Sequence, residues 1–475
     1  MRPESEAKMA IDVPALIAKT LHIEKNLVTD DLSYQSVYEW SSLNHISLIL
    51  ALEEALGTTI DGALLVELTS VAAIKRYVQR QENQLAVQQQ HEPDPKRAYY
   101  DTPIYRGLNK IVFDYTTTTH IDGEQGQLFY RGYSIHDLVT FSTFEEVAYL
   151  LLYKELPTRT QLEDFSTQLT ALRGLPGPVV DLICAMPQAQ PIDVLRTATS
   201  LLASYDPDRL DNSYEASLRK GMRLIAQLPT IVAIHQMKRS KRQIVPPTAR
   251  LSHAGNILSL LTGEEPPARF EQVINKTLIL HADHGSNASA FTARVVTGTQ
   301  ADIHGAITAA IAAFSGPLHG GAIEHTMKML QEIADPEQAS AYVQAQHEQQ
   351  GPIMGFGHRV YQTEDPRARH LRQVVQELSH EFQEPQWLAI LDALVHAMQP
   401  YARHGICVNV DFYACVIYHL LALPQDLFVP MFVLGRIAGW VAQVLEQWEN
   451  NILIRPLMYY AGAVDRPYQL LEQRP

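Results

Sequence analysis

The chain has 475 residues, 46% of them apolar and 19% charged, which is enough apolar material for more than one core and excludes a disordered sequence. A formal net charge of -14 argues against nucleic acid as a partner, and three cysteines (Cys184, Cys407 and Cys415) without C-x-x-C spacing exclude a disulfide scaffold and fit a reducing, cytoplasmic setting. The first residues carry Glu4, Glu6 and Asp12 without an apolar core, and no run reaches the roughly 18 uncharged apolar residues of a membrane span, so neither a secretory signal nor a membrane segment is expected.

In chain order, Pro14 to Leu21, Leu43 to Leu56 and Val71 to Val78 place apolar residues at helical spacing, with Gly57 as a stop, and predict a small bundle of three or four helices over residues 1–80. The glutamine-rich stretch from Gln79 to Lys96, ending in Pro93, Asp94 and Pro95, shows no helical period and reads as an exposed linker, set at 81–100. The remainder, 101–475, is one large unit. Its long periodic segments are Phe144 to Tyr153, Pro191 to Ser204, Phe270 to His281, Ile303 to Phe314, Trp387 to Ala397, Phe412 to Leu423 and Met431 to Trp448. Only Lys110 to Tyr115 looks strand-like, so the fold class is all-α.

Four polar clusters interrupt those helices. They are His281 to Gly285 with His284; Gly316 to Gly321 with His319; Gly355, Gly357, His358 and Arg359 running on to Asp365 and Arg367; and Asn409 to Phe412 with Asp411. His319 and His358 stand 39 residues apart and Asp411 lies 53 beyond, so a shared site has to be assembled by tertiary folding. Singly, each has an ordinary reading. His281 and His284 fit a surface pair at i,i+3, and Asp411 fits a helix cap.

Taken together, and in this order, the clusters resemble the citrate synthase family. The likeness runs from Pro103 to Tyr468 and includes Leu128 to Leu138 around Arg131, Glu155 to Thr158, Leu251 to Asn256, Arg436 to Trp440, and Arg455-Pro456 before Tyr460. It implies a two-lobed, nearly all-helical fold, with the small lobe at about 320–422, that closes over its substrates as an obligate homodimer. It also implies condensation of an acyl-coenzyme A with oxaloacetate. Asp411 would remove the thioester's α-proton. Because a carboxylic acid of pKa about 4 is far too weak a base to hold a free enolate, His319 would donate to the developing oxyanion. His358 would polarise the oxoacid carbonyl. Arg367, Arg436 and Arg455, the last from the partner subunit, match the family's forked donors for two carboxylates, and His284 matches a further substrate contact. Coenzyme A would lie against the turn at Gly355, Gly357 and Arg359. No metal and no tightly bound cofactor is expected. The family pattern is departed from at Ile323, Gln362, Ala414, Cys415 and Gln443, the last where a histidine is common. These positions flank the site and imply altered acyl recognition or rate.

The N-terminal stretch is similar to acyl carrier proteins over residues 10 to 80. Ser42, before Leu43 at the start of a helix, stands where such proteins carry phosphopantetheine, but Ser41 replaces their aspartate, and an N-cap on a docking domain is the alternative. The reading favours free coenzyme A thioesters as substrates, with Ser42 modified partly or not at all. The competing functions are an alkylcitrate-type synthase fed by the carrier and a non-catalytic assembly protein on the same fold.

Overall fold

The computed structural model describes residues 11–34, 36–37, 40, 42–58, 60, 68–89, 104–108, 111–348, 351–402, 405–460 and 462–474. It divides into two compact units, one made of Met1–Tyr115 with Arg455–Pro475 and one of Thr116–Ile454. The unit that holds the four clusters is thus shorter at both ends than the 101–475 span.

The first unit contains helices Val13–Leu21, Ser42–Leu56 and Val71–Gln89. Asp12 starts the first by accepting from the Ala15 N–H at 3.0 Å, and His22 ends it in the left-handed region at φ 55. Ile17, Leu21, Trp40, Leu48, Leu52, Val71 and Ile74 bury completely or nearly so and form its core. The third helix corrects the linker. It continues through Gln89, well past the start expected at 81, because glutamine, glutamate, alanine and leucine are good helix formers even without an amphipathic stripe. The side chain of Ser42 lies outside the described residues.

The strands are not where the sequence suggested. Residues 111–115, which fall in the first compact unit, are irregular, and Val112 and Tyr115 are 89% and 95% exposed, so strand-type side chains here do not make a strand. The true sheet lies in the second unit and is antiparallel, Thr119–Asp122, Gln127–Tyr130 and Tyr133–Ser134, with Thr119 opposite Tyr130 and Ile121 opposite Leu128. Apart from an isolated bridge between Phe356 and Val408, the other regular elements among the described residues of this unit are helices. The expected helices appear within a few residues of their predicted ends, for example Phe144–Tyr153 and Ile303–Phe314. The 26-residue helix Tyr214–Arg239 was missed. It buries polar Lys220 and His235 beside its apolar residues and carries Pro229 inside, so it shows no clean stripe and holds a breaker.

Helix Phe428–Glu449 is the centre of the core, and nearly all of it is buried. By length and composition it would span a membrane, but every residue of its apolar window is covered by protein. Helices Ala322–Ile333, Pro366–Glu381, Pro385–Ala397 and Val410–Leu420 pack on one another in the region read as the small lobe.

Candidate functional site

Each cluster sits at a helix end, and in three of the four an asparagine or aspartate cap fixes the turn. Helix Ala268–His281 ends at its histidine, and Asn287 caps Ala288–Gly298 by accepting from the N–H groups of Ser289 and Ala290. His319 lies in the turn between Ile303–Phe314 and Ala322–Ile333. Asp365 caps Pro366–Glu381, and Asn409 caps Val410–Leu420 by accepting from the Asp411 N–H at 3.1 Å. Gly355 and Gly357 both have positive φ, and a Cβ at Gly355 would sit 2.7 Å from the Phe412 ring. The Gly357 N–H donates to Cys407 and the Asn409 N–H to the Gly355 carbonyl, so the glycine turn and the segment leading to Asp411 form one tied piece.

The two central histidines have fixed tautomers. His358 Nδ1 accepts from the backbone N–H groups of Val360 at 3.0 Å and Tyr361 at 3.1 Å. A backbone N–H can only donate, so the proton of neutral His358 is on Nε2. His319 is the mirror case. Its Nε2 accepts from the Ser289 N–H at 3.3 Å and lies 2.9 Å from Ser289 Oγ, which puts its proton on Nδ1. Burial holds both rings down to about 4, with Arg436 adding to the effect at His319, so each is a neutral donor at pH 7. His284 is driven well below its ordinary value by burial and then by Arg367, His358, Arg436 and His319; its ring meets His358 edge-on at 5.0 Å, and its Nε2 lies 3.1 Å from the Tyr361 hydroxyl.

The cations are buried too. Arg367 and Arg436 are each 2% exposed. Arg367 forks onto Asp365, Nε to Oδ1 at 2.9 Å and Nη2 to Oδ2 at 2.7 Å. Arg436 has no carboxylate within ion-pair distance among the described residues. Its Nε donates to the His281 carbonyl at 2.6 Å, and its guanidinium lies over Phe432 at 5.1 Å and Phe314 at 5.9 Å. Burial and the neighbouring Arg367 bring Arg436 down to about 10. Asp411 is pushed up to about 7, first by burial and further by Asp365, against the pull of Arg367 and Arg436.

The structure therefore brings together His284, His319, His358, Arg367, Arg436 and Asp411 within one another's fields. Arg359 is exposed, and Arg455, also exposed, belongs to the other compact unit. His281 is not a surface residue paired with His284: it is fully buried and stacked on Phe432 at 3.7 Å. Among the departures, Ile323, Ala414 and Cys415 are buried and Gln362 is exposed, while Gln443 bonds to Asp283 and Arg294. Ser289 and Tyr361 escaped sequence reading; the only signals were a serine just inside an asparagine-capped helix and a tyrosine three residues after His358. Among the described residues no group of three or more metal-ligating side chains occurs.

A family model described as "Citrate synthase, C-terminal domain" matches residues 107–457. The chain is 41% identical over 379 residues to 2-methylcitrate synthase 2 of Corynebacterium glutamicum, covering 78% of this chain and 98% of the relative. It is 40% identical over 371 residues to citrate synthase 2 of Bacillus subtilis, covering 78% and 99%. A solved citrate synthase of Thermoplasma acidophilum, in ternary complex with carboxymethyl coenzyme A and oxaloacetate, is similar at 28% identity with a TM-score of 0.75, covering 78% of this chain and 100% of that one.

The buried Arg367–Asp365 fork yields a stability prediction. Asp365→Ala leaves a guanidinium buried without its carboxylate, and should cost about 3–5 kcal/mol in urea denaturation. An unchanged midpoint would show that Arg367 does not depend on that pairing.

Proposed function

The chain belongs to the citrate synthase family, and we propose that it condenses the α-carbon of an acyl-coenzyme A, acetyl or propionyl, with oxaloacetate to give citrate or 2-methylcitrate and free coenzyme A. One observation carries this reading: a buried guanidinium without a carboxylate, Arg436, shares its field with Arg367 and with a carboxyl, Asp411, whose affinity for a proton is raised to about 7. A dicarboxylate supplies the charge that Arg436 lacks, and forked donors suit it.

Asp411 then takes the α-proton of the thioester. The Nδ1–H of His319 donates to the thioester oxygen as negative charge develops there, so the proton moves toward an enolate that is held rather than free. The enolate carbon attacks the 2-oxo carbonyl of oxaloacetate, and the Nε2–H of His358 is given to the oxygen that becomes the new hydroxyl, the ring regaining a proton from the water that next attacks the thioester. Water hydrolyses the resulting thioester, which releases coenzyme A and a third carboxylate. His284 contacts the oxoacid. Gly355, Gly357 and Arg359 border the coenzyme A, and Arg455 reaches the site of the partner subunit in a homodimer.

The N-terminal unit, we further infer, is carrier-like: its helix Ser42–Leu56 opens at the serine in question. With Ser41 in place of the usual aspartate, Ser42 takes phosphopantetheine partly or not at all, and free coenzyme A thioesters are the working substrates. Intact-mass analysis after coexpression with a broad-specificity phosphopantetheinyl transferase should find mostly unmodified chain. Complete conversion that is lost in Ser42→Ala, with turnover of the loaded carrier, would instead establish the alkylcitrate-type reading.

The base must be ionised to act, so kcat should rise with pH through about 7. Asp411→Asn should abolish thiol release while oxaloacetate still binds. Mixed with the equally inactive Arg455→Ala, it should regain part of the activity, because one site of the heterodimer then has both residues. No recovery after verified subunit exchange would place the whole site in one chain, and an active Asp411→Asn would remove the base assignment.

A further inference from the structure

Gln443 lies on the central helix, buried to 1% exposure, between two charged groups. Its Oε1 accepts from Arg294 Nε at 2.7 Å, and its Nε2 donates to Asp283 Oδ2 at 3.1 Å. The amide cannot be turned round, because a guanidinium only donates and a carboxylate accepts. On the far side Arg294 also bonds Gln447 and is paired with Glu446, which lies 3.7 Å from Arg131. On the near side Asp283 Oδ2 takes two more hydrogen bonds, from Thr119 Oγ1 at 2.5 Å and from the Gly285 N–H at 3.1 Å. The four ionisable groups Arg131, Arg294, Glu446 and Asp283 balance when Asp283 is a carboxylate. Burial pushes Asp283 up, and the hydrogen bonds from Thr119, Gln443 and Gly285 together with the charge of Arg436 work against it in favour of the carboxylate.

Asp283 is the middle of the turn on which the oxoacid groups hang. Its neighbours are His281, whose carbonyl anchors Arg436, and His284. The turn is held from three sides: the Tyr130 hydroxyl donates to the Asp283 carbonyl at 2.9 Å, Thr119 bonds the side chain, and the Gly439 N–H donates to the Ala282 carbonyl at 3.0 Å. A Cβ at Gly439 would sit 2.2 Å from that carbonyl oxygen, so helix and turn are in direct contact.

We propose that Gln443 is a positioning residue for oxaloacetate: its amide ties the Arg294–Glu446 pair to Asp283 and so fixes the turn that anchors Arg436 and carries His284. This rests on the reading of Arg436 as an oxoacid ligand. Gln443 touches no substrate, and it makes the link with a group that does not titrate. A neutral imidazole in its place makes the same two bonds, but loses its acceptor when protonated.

The test exploits that difference, with the KM for oxaloacetate taken as a ratio to wild type at the same pH. In Gln443→Glu two carboxylates face each other at high pH and share a proton at low pH, which rebuilds the donor to Asp283. The ratio should be about tenfold or more at pH 8.5 and fall toward one at pH 6. Gln443→His should behave oppositely, near one at pH 8.5 and rising as the ring protonates. The other groups facing this position, Arg131, Arg294, Glu446, Arg436 and Tyr130, are common to all three proteins and cancel in the ratio. Thr119→Val, which removes a donor to Asp283 from the opposite side, should raise the KM with kcat little changed, and decides the matter if Gln443→Glu does not fold. Ratios that stay at one, or are raised equally at both pH values, would overturn the proposal. Failure of the underlying reading is distinct: it appears in the wild-type protein as no thiol release with oxaloacetate, and the proposal falls with it.

Discussion

Two buried guanidiniums, of which only Arg367 has a carboxylate within ion-pair distance among the described residues, set the terms for the rest of the site. Taking a charge out of water costs several kcal/mol unless something replaces the lost hydration. For Arg367 the replacement is the Asp365 fork, complete within the chain. Arg436 gets a carbonyl, two aromatic faces and the more distant Asp283, and that partial compensation is why its proton affinity falls while that of Arg367 rises. A dianion arriving between them finds donors already dehydrated and oriented, so its binding offsets a cost that folding has left standing.

The same positive field organises the neighbours. Histidines placed beside two arginines and away from water stay neutral, and a neutral imidazole donates only from the nitrogen that its surroundings leave protonated. In His319 and His358 backbone N–H groups make that choice, which aims one proton from Nδ1 and the other from Nε2. Asp411 is held by burial near the point where it can both accept and return a proton, although the arginines pull the other way. The fold achieves this with ordinary devices: three side-chain caps, two positive-φ glycines, and a central helix close enough to the His281–Gly285 turn to leave no room for a side chain at Gly439.

Much of this was legible because the polar clusters interrupt strongly periodic helices. A histidine or aspartate between glycines and prolines, in a fixed order, stands out from a packed core. What was illegible depended on tertiary contact. Nothing in the sequence tells which nitrogen of His319 faces Ser289, or that His281 would lie sealed against Phe432 rather than on a surface. Strand propensity at 111–115 misled because propensity alone does not make a strand, and the helix Tyr214–Arg239 hid because a helix buried on most sides has no stripe. The glutamines past Gln79 looked like a linker because helix propensity can extend a helix where no apolar period marks it. Gln443 read as a flanking departure, and only the hydrogen bonds on both ends of its amide reveal a structural link.

If Arg367 and Arg436 each hold one carboxylate of the oxoacid, its second carboxylate is indispensable. The direct measurement is thiol release from acetyl-coenzyme A by the wild-type protein, with oxaloacetate compared at equal concentration with a 2-oxo acid that carries a single carboxylate. The account predicts release with oxaloacetate and none above background with the monocarboxylate. Comparable rates with both would contradict it.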